Sequence, residues 1–134
     1  MIVRCINDSV SNFDDHDAEI FRSNVHLDEI NLSKGESYFV FGLLFRNATP
    51  WFLICEEPED EYPKPHFSKL FEVIDARIPE GWRYQSISSI GEIAVVPEIF
   101  AQDPLFLEKL IDGDQRAISG FANLKRRLKD WHNL

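Results

Sequence analysis

LSKGESYFVFGLLF, residues 32–45, carries the clearest strand signal in the chain. From Tyr38 to Phe45 it is aromatic and aliphatic apart from Gly42, the composition of a buried strand. Successive side chains of a strand leave on opposite sides, so Tyr38, Val40, Gly42 and Leu44 face one way and Phe39, Phe41, Leu43 and Phe45 the other. Both sets are apolar, which places the strand at the centre of a sheet covered on both faces. Gly42, in its middle, predicts a bend or bulge of the kind a curling sheet needs. Lys34-Gly35, before it, predicts a turn, because glycine accepts a positive φ freely.

RNATP, residues 46–50, predicts a hairpin connection, and WFLICEE from Trp51 its partner strand. MIVRCI at the start alternates as a short strand does. Residues 7–24 are polar and rich in Asp and Asn, and read as a loop with one helical turn near Ala18 to Arg22. Beyond an acidic loop, HFSKLFEVID (66–75) reads as a third strand, with Leu70, Phe71, Val73 and Ile74 supplying core. ARIPEG is a turn, WRYQSIS a fourth strand, and GEIAVVPEI a fifth that stops near Pro97. Asp103-Pro104 places an N-cap before a proline at the first helical position. LFLEKLID is then a helix that Gly113 ends or bends. Asp114 caps a second helix, whose Ile118, Phe121, Leu124, Leu128 and Trp131 recur at helical spacing. Residues 1–134 are expected to form one domain, mainly β over 32–97 and helical over 103–131. The expected fold class is α+β, a bent antiparallel sheet or small half-open barrel of about five strands followed by two C-terminal helices. A flat antiparallel sheet is the alternative.

A chain of 134 residues fits one domain with a real core, and eleven Phe make that core aromatic. The net charge of −9 argues against nucleic acid, which is gripped by clustered Lys and Arg, and against an anionic membrane surface. It suits a cationic partner drawn in over long range. Residues 114–134 are the basic exception, with five Lys or Arg against two Asp or Glu. Their Lys125, Arg126, Arg127 and Lys129 read as the wet face of the last helix, where cations complement the helix dipole. MIVRCINDSV has no long apolar region of a cleaved signal peptide, and the longest apolar run, Tyr38 to Phe45, is far too short to span a bilayer. Cys5 and Cys55 make no disulfide or metal framework. The expected location is therefore the reducing cytoplasm, with both thiols as small buried hydrophobes.

Catalytic patterns are missing. His16, His26, His66 and His132 are scattered, without zinc spacing. DDHD at 14–17 lacks the Gly and terminal Glu of a calcium loop. There is no G-x-S-x-G elbow or phosphate-cradling glycine run, and Cys55 sits in an apolar strand that holds a thiol inert. No catalytic residue, metal ligand or cofactor is assigned. What stands out is ICEEPEDEYPKP, residues 54–65, where Glu56, Glu57, Glu59, Asp60 and Glu61 fall within six consecutive positions. Two like charges about 4 Å apart cost about 1 kcal/mol even in water. A cationic protein surface gives that crowding a use. Pro58, Pro63 and Pro65 stiffen the loop, so its carboxylates lose less entropy on docking. Tyr62 is the amphipathic ring that anchors interfaces. The expected partner-binding residues are Glu56, Glu57, Glu59, Asp60, Glu61 and Tyr62, helped by Asp14, Asp15 and Asp17.

From about Leu32 to Tyr84 the chain resembles small bacterial immunity-type proteins of polymorphic toxin and contact-dependent growth inhibition systems. The residues that carry the resemblance are Gly35, Tyr38, Val40 and Gly42, then Trp51, the acidic loop ending in Tyr62-Pro63, LFEVID at 70–75, Arg77, Pro79, Trp82 and Tyr84. The resemblance implies a cytoplasmic protein that neutralises a toxin by binding it, the toxin being a basic nuclease in many cases. It transfers no binding residues. Two other classes stand beside it: a non-catalytic regulatory or adaptor module that binds a protein through an aromatic groove, and a metal-dependent hydrolase, which the spacing does not support.

Overall fold

Residues 37–46 form two strands in two different sheets. In the computed structural model, which describes residues 1–24, 30–46, 48–87 and 92–133 (Ile87 by its backbone alone), Ser37–Phe39 is β2 and Leu43–Arg46 is β3. Strand β2 pairs with β1 (Ile2–Cys5), which pairs in turn with β6 (Phe71–Asp75), giving a three-stranded sheet of order β2-β1-β6. The five-stranded sheet contains β3, β4 (Thr49–Ile54), β5 (Lys64–Phe67), β7 (Trp82–Ile87) and β8 (Glu92–Pro97), in the order β5-β4-β3-β8-β7. Every pairing is antiparallel. The α+β class and the antiparallel sheet agree with the expectation. The strands are more numerous, and they form two open sheets rather than one bent one.

The crossing from one sheet to the other takes three residues. Val40 N donates to Met1 O at 3.1 Å, Phe41 N to Leu53 O at 2.8 Å, and Leu53 N to Gly42 O at 2.9 Å. Between Val40 and Gly42 the backbone thus hands its hydrogen bonds from β1 to β4. The bend predicted at Gly42 lies here, and its cause is close packing. A Cβ at Gly42 would sit 2.9 Å from Leu53 Cδ1 and 3.0 Å from Val96 Cγ1. Downstream, β3 is central, with Leu44 opposite Trp51 on one side and Ala94 on the other. The hairpin joining β3 to β4 pairs Arg46 with Thr49 and holds Ala48 at φ +59.

HFSKLFEVID is not the single strand it was expected to be. A 3-10 turn at Ser68–Leu70 separates β5 from β6 and sends them to different sheets. Buried aromatic rings on each side of the turn explain the break. Phe67 packs on Trp51 and Phe13, at 5.1 and 5.5 Å between ring centroids, while Phe71 packs on Phe52 and Tyr38. A straight strand could not reach both clusters. Val73 and Ile74, expected in the core, are 48% and 47% exposed. They lie on an edge strand whose register with β1 shifts between Val3↔Val73 and Ile2↔Asp75.

The polar segment 7–24 is more ordered than a loop with one turn. It makes a 3-10 turn at Val10–Asn12 and a helix, α1, at Asp15–Asn24. Asp14 Oδ1 accepts from Asp17 N at 2.7 Å, which satisfies a free amide at the helix start. Phe13 and Phe21 fasten this region onto Phe67. At the other end of the chain, α2 (Glu98–Gln102) follows β8 directly and was not anticipated. Then come α3 (Phe106–Ile111) and α4 (Gln115–His132). Asp103 accepts from Leu105 N at 3.0 Å, so the helix begins after Pro104 rather than at it. Gly113, at φ +83, ends α3, and Asp114 caps α4 by accepting from Ala117 N at 2.9 Å. Phe100, Phe106 and Phe121 stack edge to face and carry the helices onto Phe41. Such pairs add about 0.5–1.5 kcal/mol each beyond the area they bury. No helix among the described residues is long and apolar enough to cross a membrane.

The crossing makes Gly42 intolerant of a side chain. Gly42→Val is expected to cost about 1–3 kcal/mol by overpacking, because Leu53 and Val96 are themselves buried. Gly120→Ala, inside α4, meets the mobile tip of the half-buried Ile99 and removes a helix glycine worth about 1 kcal/mol. It is expected to be neutral or stabilising. Urea unfolding midpoints of the two variants check the contrast.

Candidate functional site

The acidic loop leaves the five-stranded sheet at the end of β4 and returns at β5. It is pinned rather than loose. Lys125 of α4 donates from Nζ to Pro58 O at 2.7 Å and to Asp60 O at 2.8 Å. Asp60 folds the loop on itself, since its N donates to Glu57 O and its Oδ2 accepts from Glu57 N, both at 3.1 Å. Glu56 faces inward, with Oε1 3.3 Å from His66 Nε2, while the other ring nitrogen of His66 lies 2.8 Å from Lys64 O. Burial lowers the pKa of His66, opposed by the Lys64 carbonyl and the Glu56 carboxylate. Tyr62 is half buried, with Lys64 Nζ 5.9 Å from its ring centre.

The expected partner-binding residues therefore divide into two groups. Glu57, Glu59 and Glu61 are exposed and point their charge outward. Glu56 and Asp60 are half buried and bonded within the molecule, so they shape the loop more than they present it. Asp14, Asp15 and Asp17 belong to the start of α1. There Asp14 acts as a cap, and the negative charge suits the positive end of the helix. Phe13 anchors that start on Phe67, at the end of β5, whereas the acidic loop runs into the beginning of β5 at Lys64. Among the described residues no hydrogen bond or ion pair joins the two acidic clusters. Nor does any group of three or more His, Cys, Asp or Glu stand close enough to hold a metal ion.

Beside the loop lies a groove of about 730 Å³. Phe39 and Phe41 line it on the strand side, Cys55 to Pro58 along the loop, and Lys125, Arg126 and Lys129 along α4. Its lining thus combines carboxylates, cations and aromatic rings. Burial pushes the Cys55 thiol up to about 12, which removes the thiolate a nucleophile needs. The sequence reading missed this groove and misplaced Lys125, which is half buried and tethered to the loop rather than on a wholly wet face. Its one visible signal was the position of Lys125 four residues after Phe121, on the helix face that packs inward.

The C-terminal end of α4 is locked separately. His132, its side chain 2% exposed, stacks on Phe39 with ring centres 5.3 Å apart. Its Nδ1 donates to Asp75 Oδ2 at 3.2 Å, and its Nε2 accepts from the Met1 amine at 3.1 Å. Arg77 closes the network on Asp75 and lays its guanidinium over Trp131 at 5.0 Å. Both ring nitrogens are committed with a neutral imidazole. Burial lowers the His132 pKa, and the neighbouring amine lowers it further; burial likewise lowers the Met1 amine to about 6. Asp75 is held well below the usual carboxylate range by its hydrogen bonds from Arg77.

Comparison with models of protein families, with curated proteins and with solved structures finds no match.

Two outcomes test this geometry. His132 and the Met1 amine bind protons more weakly folded than unfolded, so the unfolded chain gains protons first as pH falls. Stability is expected to be full above about pH 9 and to decline as the pH falls past the unfolded values of 8.0 and 6.5 toward the lowered folded ones. Urea midpoints at pH 9 and 5.5 measure the loss, and His132→Asn is expected to reduce it by removing the His132 part while the Met1 amine still titrates. Separately, Lys125→Met is expected to free the loop. The Asp60 amide then exchanges its hydrogen at least about tenfold faster by NMR, with a stability change of only about 1 kcal/mol.

Proposed function

We propose that this chain is a non-catalytic immunity protein that binds a cationic toxin domain, a basic nuclease, in the cytoplasm and neutralises it. The observation that carries the proposal is the tethered acidic loop. Lys125 and the Glu57–Asp60 turn hold the backbone, and Glu57, Glu59 and Glu61 stand exposed on it. Three like charges on a held backbone are an electrostatic cost to the free protein that a cationic surface converts into attraction. A nuclease groove shaped for phosphates is such a surface. Because the loop is already ordered, docking costs little further entropy. The resemblance over residues 32–84 supports the same reading, and so does the net charge of −9, which favours fast, steered association.

A second reading has its own observation. The groove floored by Phe39 and Phe41 suits an adaptor module that binds a protein segment through aromatic contact. The two differ in salt dependence, since charge steering weakens as salt rises and aromatic burial does not.

The test is coexpression with the toxin domain encoded by the neighbouring reading frame, followed by affinity measurement at low and high salt. Glu57→Lys, Glu59→Lys and Glu61→Lys together are expected to weaken binding by at least about 100-fold and to remove most of its salt dependence. The urea midpoint should barely move, because all three side chains are exposed. Unchanged affinity in that variant removes the loop from the interface. A neighbouring frame without a toxin domain, and chain-dependent capture of a housekeeping complex instead, replaces the first reading with the second.

A further inference from the structure

Strand β2 is the outer strand of its sheet. Its bonds to β1 run through alternate residues: Cys5 N donates to Glu36 O at 2.9 Å, Val3 lies opposite Tyr38, and Val40 N donates to Met1 O at 3.1 Å. Backbone groups alternate sides along a strand, so the amides and carbonyls of Ser37 and Phe39 point away from β1. Two residues later the same edge is filled, where Phe41 N donates to Leu53 O at 2.8 Å. Strand β4 ends at Ile54, however, and the chain turns off into the acidic loop. A strand position is therefore occupied beside Phe41 and vacant beside Ser37–Phe39. The groove of about 730 Å³ lies along this vacancy, with the edge of β2, the loop and α4 as its three walls.

We propose that an extended segment of a protein partner enters this vacancy as an added strand, hydrogen-bonded to the backbone of Ser37 and Phe39. The inference rests on the reading that this chain works by binding a protein, and it names a second contact beside the acidic loop. Two of the other three sheet edges carry guards: Pro65 interrupts β5, and the register shift of β6 disturbs its ladder. Strand β7 is an outer strand too, but it does not border this groove. Residues 37–39 contain neither device. The charges of the walls specify the segment. Phe39 and Phe41 send their rings toward α4, onto His132 and Phe121. The side chains of the added strand on that face meet Arg126 and Lys129, which select acidic or small polar residues. By the same alternation Glu36 stands on the Tyr38 face of the strand, so the other face of the added strand meets a carboxylate there, which selects Lys or Arg. The occupant is thus an extended stretch that alternates acidic and basic side chains, in the manner of strand addition to a sheet edge.

The probe is a capped hexapeptide, Glu-Lys-Thr-Val-Glu-Lys, which puts carboxylates on one face and ammonium groups on the other. Added to the full chain, it is expected to slow hydrogen exchange at the Ser37 and Phe39 amides at least about tenfold and to leave Val40 unchanged. Ser37→Pro removes an amide that β1 does not use; it is expected to weaken the peptide at least about tenfold, whereas Ser37→Ala binds as the wild type does. Unchanged exchange at Ser37 and Phe39 under saturating peptide overturns the proposal. So does protection that appears only elsewhere. If Ser37→Pro fails to fold, the exchange measurement on the wild type still decides. With the toxin domain as ligand, full affinity in Ser37→Pro and lost affinity in the loop-reversed variant sink the strand addition and leave the acidic-loop reading standing. Peptide protection without toxin binding sinks the immunity reading and leaves the strand addition.

Discussion

The handover of backbone hydrogen bonds between Val40 and Gly42 is the constraint on which the rest of the structure depends. One continuous apolar stretch serves two sheets because its bonds pass from β1 to β4 over three residues. The transfer requires β4 to approach within contact of the strand, and the absent side chain at Gly42 allows it. Once the crossing is made, Phe39 lies under the end of α4 and Phe41 under its middle. The helices are thereby docked by the same segment that joins the sheets. The groove arises from the same event, because β4 follows the strand as far as Phe41 and then leaves it.

Electrostatics act within the molecule before any partner arrives. The acidic loop and the basic end of α4 are neighbours, and Lys125 ties them through two backbone carbonyls. Glu56 and His66, together with Asp60 and the Glu57 amide, take two further carboxylates out of the exposed set. What remains is a smaller but better-held anionic face than the run of five acids suggests. Isolated surface ion pairs contribute about 0–1 kcal/mol. Lys125 matters instead by fixing where the exposed carboxylates stand, because its bonds go to the loop backbone itself.

Much of the secondary structure was legible in the residues. Strands at both ends of the RNATP hairpin, the stop near Pro97, the Gly113 break and the Asp114 cap all follow from local chemistry. The errors share a cause. HFSKLFEVID has unbroken strand composition, yet two separate aromatic clusters compete for Phe67 and Phe71, and the chain breaks between them. Val73 and Ile74 read as core because they are apolar, but an edge strand has no neighbour to cover them. The region 7–24 reads as loop because it is polar; two phenylalanines gripping Phe67 are enough to make it helical.

The candidate site divides along the same line. By itself the sequence determined that an acidic loop stiffened by prolines follows a buried strand, that a basic helix ends the chain, and that familiar catalytic spacings are missing. These are statements about neighbours in the chain, and local periodicity and charge encode them. Only the tertiary structure decided that the loop and the helix meet, that Lys125 rather than solvent holds the loop, and that β4 leaves a strand position open beside Ser37 and Phe39. Those facts join residues as many as 67 positions apart. No local pattern specifies such pairs, because they are chosen by how the two sheets and α4 share a single core.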